Sequence, residues 1–160
     1  MHQRLRTATL LALLCLSVIA CGGAPSASNA TSASQASTST TARTAAFPGS
    51  YATPLTADEI TGQGGTDLTL AGDWVFTFSA PQDSTVDYEA LLNGTRAYNG
   101  AIVLDGDQLK ISTVNAGKDC RGEGSYTWTF DGTQLRFTLV SDSCPHRQII
   151  LTTHPMVRRP

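Results

Sequence analysis

The residues with the most chemistry to offer cluster late in the chain: Asp119-Cys120, and then Asp142-Ser143-Cys144-Pro145-His146-Arg147. Two thiols, an imidazole and carboxylates are suitable zinc ligands, yet Cys-x-His is not a spacing used by structural zinc sites. Catalysis needs other company. Beyond the first twenty residues the histidines are His146, beside a cysteine, and His154, in the tail before Pro155. Neither stands near a Gly-x-Ser-x-Gly nucleophile turn. No catalytic residue, metal or cofactor is therefore assigned. Asp142 and Arg147, five positions apart, read as an ion pair ordering the loop after Val140. Whether Cys120 and Cys144 are free thiols, ligands or a disulfide depends on the compartment, which the N-terminus addresses.

Residues 1–20 have the zones of a secretion signal. Arg4 and Arg6 supply the positive start. Thr9 to Ala20 is an uncharged apolar run too short to span a bilayer. Val18-Ile19-Ala20-Cys21 follows the cleavage-site preference for small residues, with Gly22-Gly23 beyond. This segment resembles the lipobox of bacterial lipoproteins. The resemblance implies cleavage before Cys21 and acylation of its thiol, at about 0.8 kcal/mol of membrane affinity per buried CH₂. The membrane, reached through that lipid, is then a partner. Cys15 leaves with the signal. Cys120 and Cys144 remain as an even pair in an oxidising compartment, and the expectation is a disulfide rather than a metal site.

Of 11 Lys+Arg and 13 Asp+Glu, losing Arg4 and Arg6 leaves nine bases against thirteen acids. Such a chain repels phosphate backbones, which argues against nucleic-acid binding. Residues 21–46 are rich in Ser, Thr and Ala, carry Arg43 as their one charge and show no apolar periodicity. They are expected to form a disordered tether behind the lipid site.

The remaining segment, 47–160, is long enough for one core and too short for two. Thr56-Ala57-Asp58-Glu59 has capping-box spacing and predicts a short helical turn over Thr56 to Thr61. Gly62, Gly64 and Gly65 then stop it. From Trp74 the period changes to two. Alternation runs through Trp74-Phe78, Val86-Leu92, Ile102-Leu104, Leu109-Ile111, Tyr126-Phe130 and Leu135-Leu139, with Ile149 and Leu151 assigned to a last strand. Asn93-Gly94, Asp105-Gly106 and Asp131-Gly132 separate the runs, and the glycine turns fit type I′ hairpins. The expected fold is all-β, an antiparallel up-and-down barrel of about eight strands.

Gly72-Asp73-Trp74 at the first regular strand, after a helical turn, resembles the lipocalins and the wider calycin superfamily. Gly124-x-Tyr126-x-Trp128, Asp131-Gly132 and Asp142-x-Cys144-x-x-Arg147, preceded by Cys120, resemble a group of lipocalin-like envelope proteins. The resemblance implies that Gly72 and Trp74 close one barrel end, with Arg147 or Arg158 packed across the indole. It also implies a small apolar or amphipathic ligand, for which Tyr88, Tyr126, Trp128 and Phe137 are the candidate lining. Two departures stand out: no Thr-Asp-Tyr follows in mid-chain, and the domain is shorter than a full lipocalin. The alternative is a barrel filled by its own side chains, serving as a non-catalytic protein-interaction module of the cell envelope.

Overall fold

The computed structural model describes residues 47–160 apart from Asn115, Lys118 and Asp119. The signal, Cys21 and the tether lie outside the described residues. Strands β1 (Gly49–Leu55), β2 (Gly72–Phe78), β3 (Thr85–Leu92), β4 (Thr95–Asp105), β5 (Gln108–Thr113), β6 (Gly124–Phe130), β7 (Gln134–Ser141) and β8 (Met156–Arg158) form a closed antiparallel barrel in chain order. Helix α1 (Ala57–Gly62) and a 3₁₀ turn (Leu68–Leu70) fill the β1–β2 connection, and helix α2 (Pro145–Thr152) lies between β7 and β8. The up-and-down barrel is compatible with a lipocalin-like fold.

Alternation decides which side chains face inward. Tyr51 and Leu55, Trp74, Phe76 and Phe78, Val86 and Tyr88, Ile102 and Leu104, Leu109 and Ile111, Tyr126 and Trp128, and Leu135 and Phe137 are all buried. Their intervening neighbours take the outer wall, as the two-residue pleat demands. Around α1 the capping box forms as expected. Thr56 Oγ1 accepts from the Glu59 amide at 3.3 Å, and Glu59 Oε2 accepts from the Thr56 amide at 2.9 Å. Two of the unsatisfied donors at the helix start are thereby met.

Three elements differ from the sequence reading. Ile149 and Leu151 are not in a strand but in α2, where Ile150 between them is buried as well. Burial of three consecutive residues is possible on a helix lodged against a core and impossible on one face of a strand. The decisive local signals are Pro145 in the first helical turn and Cys144 as N-cap, its Sγ accepting from the Arg147 amide at 3.3 Å. β1 and the three-residue β8 were not expected as strands, and they complete the barrel. The type I′ assignment holds at Asn93-Gly94, where φ is 50° and 79°. At Gly106 and Gly132 the glycine has positive φ but the flanking aspartates do not, so those turns are of other types.

The chain enters at the barrel end opposite α1. There Phe47 plugs the opening, edge-on to Phe78 (ring centroids 4.9 Å apart) and to Trp128 (5.0 Å), and it is fully buried. Replacing a ring so enclosed leaves a cavity that the surrounding aromatics do not collapse into. Phe47→Ala is expected to lower unfolding free energy by about 3–5 kcal/mol, read by urea denaturation. A loss below about 1 kcal/mol would show that the plug is dispensable.

Candidate functional site

The opposite, helical end gathers most of the residues singled out from the sequence around one carboxylate. β7 ends at Ser141, and the next residue, Asp142, turns its side chain inward with no solvent exposure. Arg147, on the first turns of α2, meets it through two bonds: Nε to Oδ2 at 2.6 Å and Nη2 to Oδ1 at 2.7 Å. The Tyr126 hydroxyl donates to Oδ2, and the Cys144 amide donates to Oδ1 at 2.8 Å. Arg147 Nη2 also reaches the Gly122 carbonyl at 2.9 Å, and Nη1 reaches Thr113 Oγ1 at 3.3 Å. Thr113 in turn bonds the Tyr88 hydroxyl at 2.7 Å. β3, β5, β6, β7, α2 and the β5–β6 loop are thus tied to one buried ion pair in which each carboxylate oxygen accepts two bonds and every guanidinium nitrogen has a partner, the kind of compensation a pair in a core requires.

The covalent part lies alongside. Cys120 and Cys144 form a disulfide across 24 positions, fastening the β5–β6 loop to the N-cap of α2. Asp119, the remaining acid of the imagined metal cluster, lies outside the described residues. Gly124 has its own reason for being glycine: a Cβ there would stand 2.2 Å from Asp142 Oδ2. The spaced elements Gly124-x-Tyr126 and Asp142-x-Cys144-x-x-Arg147 are therefore one three-dimensional clasp.

Its electrostatics follow from burial and bonding together. Burial opposes ionisation of Asp142, but hydrogen bonds from Arg147, Tyr126 and the Cys144 amide outweigh it and hold the carboxyl below its usual range. Tyr126 is pushed up by burial first and by its bond to Asp142 second. The phenol therefore stays protonated and remains a donor.

Both described histidines face carboxylates on the β1–β2 connection. His154 Nε2 is 2.6 Å from Glu59 Oε1, and His146 Nε2 is 3.7 Å from Asp67 Oδ2. Together with Gln63 Nε2 on Thr153 Oγ1, they lace the α1 segment to α2 and the residues after it. Their contacts are those of surface fasteners rather than of a base aimed at a nucleophile.

Trp74 sits near this same end, its Nε1 donating to the Leu70 carbonyl at 2.9 Å. Its indole stacks on Tyr98 (5.8 Å between centroids, 2° between planes) and on Phe76 (6.1 Å, 26°). The expected arginine partner is not found there: Arg147 is turned to Asp142, because a buried guanidinium without its anion is costly. Arg158 sits at the other end, its Cζ 5.8 Å above the Phe130 ring. Gly72, with φ 146°, makes room for the Asn93 side chain, which would be 2.6 Å from a Cβ. Asn93 Oδ1 accepts from the Asp73 amide at 3.0 Å.

The four candidate pocket residues do not share a cavity. Trp128 and Phe137 pack with Phe47 at the entry end, and Tyr126 is bound into the clasp. Tyr88 borders a space of about 30 Å³ under the disulfide, with Phe76, Tyr98, Ile111 and Thr113. That is about a tenth of the roughly 300 Å³ or more of typical ligand sites. A concavity of about 790 Å³ lies elsewhere, bordered by Ala52, Pro54, Val75 and Leu91. Those side chains alternate with the buried ones, so it belongs to the outer wall. No family model, curated protein or solved structure matches this chain.

The clasp predicts a stability profile. Asp142 has a depressed carboxyl pKa in the fold, so its contribution is complete above the ordinary carboxyl range near 4 and disappears as pH falls through the folded value. Asp142→Asn should cost about 3–5 kcal/mol at pH 7 by leaving Arg147 buried without a counter-charge. It should also flatten the loss of stability as pH falls below about 4. Parallel wild-type and variant curves in urea titrations would refute this assignment. Gly124→Ala should destabilise by about 1–3 kcal/mol through the Asp142 clash. Reducing the disulfide should remove about 3 kcal/mol.

Proposed function

We propose that this chain is an exported lipoprotein, anchored through acylated Cys21, whose filled barrel serves as a non-catalytic interaction module of the cell envelope. The observation that carries the reading is the packed interior. Aromatic rings from Phe47 to Phe137 occupy the barrel, and the space they leave near Tyr88 is about 30 Å³. A small apolar or amphipathic ligand would need roughly ten times as much. With the inside occupied by its own side chains, the recognition surface is the outside of the barrel and the features at its helical end. The anchor and the calycin-type relationship rest on Val18-Ile19-Ala20-Cys21 and on the ordered motifs from Gly72 to Arg147.

Two measurements test the reading. Native mass spectrometry of the full chain, purified in detergent from its own membranes, should give the mass of the processed lipoprotein with no further bound molecule. A reproducible extra mass lost on denaturation would overturn the filled-barrel reading in favour of ligand carriage. Metabolic labelling with a tagged fatty acid should mark the wild type and not Cys21→Ser, which should leave the membrane fraction. A variant that remains acylated would overturn the anchor.

A further inference from the structure

Outward positions on a barrel wall are ordinarily polar, and one sector of this wall departs from that. β8, β1, β2 and β3 lie side by side, and their register aligns four outward side chains in a row. Val157 stands beside Ala52, Ala52 beside Val75, and Val75 beside Leu91. Val157 is 50% exposed, and the other three are half-buried. Single apolar side chains on a surface need no explanation, whereas an aligned row of them points to a surface that another one covers.

One charged residue stands on each side of the row. Asp73 faces Pro54 across the β1–β2 ladder, towards the helical end. Arg159 donates its amide to the Ser50 carbonyl at 2.8 Å, towards the entry end. Both are exposed, and both border the outer-wall concavity of about 790 Å³. Among the described residues, neither the Asp73 carboxylate nor the Arg159 guanidinium takes part in an ion pair. Pro54 is two residues after Ala52 and Ser50 two residues before it, so the register sets Ala52 midway between the acid and the base. A two-fold axis at Ala52, lying in the plane between two facing walls, exchanges those two corners. Asp73 of each copy then meets Arg159 of the other.

We propose that this face of the wall joins two copies of the chain, with Ala52 on the axis and an Asp73–Arg159 pair at each of two corners. A patch that is its own complement is what an isologous interface requires. The Ala52 methyl, the smallest side chain of the row, lets the walls approach at the axis to the spacing of about 10 Å found between packed sheets. The concavity around it receives the long Arg159 side chain of the second copy. Burial of the row supplies the attraction, and the charge pairs at the rim fix orientation more than affinity. An anionic lipid surface would match Arg159 and be repelled by Asp73, so the paired signs favour a second copy. The inference rests on the anchored, filled barrel and names the partner of its outer wall. Copies held on one membrane meet at a raised effective concentration, so a short apolar row suffices where free chains would need more area.

Cross-linking of the full chain in its own membranes with a short bis-maleimide tests this. Ala52→Cys, on the axis, faces its own counterpart and should give a covalent dimer. Val103→Cys, outward on β4 and 44% exposed in the native residue, lies away from the row and should stay monomeric. In the Ala52→Cys background, Asp73→Arg and Arg159→Asp should each weaken the dimer by about tenfold. Together they should restore it, because the pairs are rebuilt with their signs exchanged. No dimer with Ala52→Cys would overturn the proposal, as would a double reversal that fails to recover. A cross-link to a different protein would overturn the second copy as occupant. Loss of membrane contact with Arg159→Asp and a gain with Asp73→Arg would assign the face to anionic lipid instead. A missing dimer from a chain that takes the fatty-acid label and has a bare mass removes this interface alone. A bound small molecule, or acylation that survives Cys21→Ser, removes the reading beneath it.

Discussion

The buried carboxylate of Asp142 is the constraint on which the helical end of the barrel depends. A charge with no solvent exposure must be matched or the end does not form. Two bonds from Arg147, one from Tyr126 and one from the Cys144 amide satisfy it, and each donor comes with a structural consequence. Arg147 fixes the first turns of α2. Tyr126 ties in β6. The Cys144 amide fixes the N-cap, and the Cys144 sulfur fixes the β5–β6 loop through Cys120. Gly124 is the steric condition that lets the carboxylate approach β6 at all. The disulfide and the ion pair reinforce each other: the first limits the unfolded chain, whereas the second acts only in the folded one.

The placement of α2 settles the rest of the wall. Had Ile149–Leu151 formed a stave, the barrel would have been closed along its length and its interior would have needed another lid. As a helix, the segment buries three large aliphatics at the helical end, Ile149 beside Leu139 and Ile150 and Leu151 beside Phe76 and Tyr88. The strand contribution shrinks to Met156–Arg158. A filled interior and an incomplete seam thus have the same origin, because the residues that fill the helical end are the ones withdrawn from the wall.

The strongly alternating hairpins were legible from the sequence, since each strand from β2 to β7 buries one face and repeats with period two. α1 was legible from Thr56 and Glu59. β1 was hidden by Pro48, Gly49 and Pro54, which resemble a loop. Pro54 is tolerated because that part of β1 has no strand on its second side. β8 is too short to show a period. α2 was misassigned because Ile149 and Leu151 flank a residue read as outward, while Pro145 in helix-starting position carried the contrary signal. The Asp142–Arg147 ion pair was visible as spacing. Its service as a hub was not, since Tyr126, Gly122 and Thr113 reach it only through the sheet register. The arginine–tryptophan expectation took Arg147 for a ring partner, and a nearer carboxylate took it instead.

A barrel of eight strands leaves an interior that its own side chains either fill or nearly fill, so the size of the inward residues decides between container and solid body. Here Phe47 adds a ring from outside the sheet to a lining that already holds Phe78, Trp128 and Phe137, and the balance falls on the solid side. The wall is doubly paired over most of its circumference, and at the break between β7 and β1 one lip carries Pro54 while the other has a register irregularity at Val140 with α2 beside Leu139. The break and the clasp both lie towards the helical end, opposite Phe47. The same packing that fills the centre concentrates the buried polar network at the helical rim.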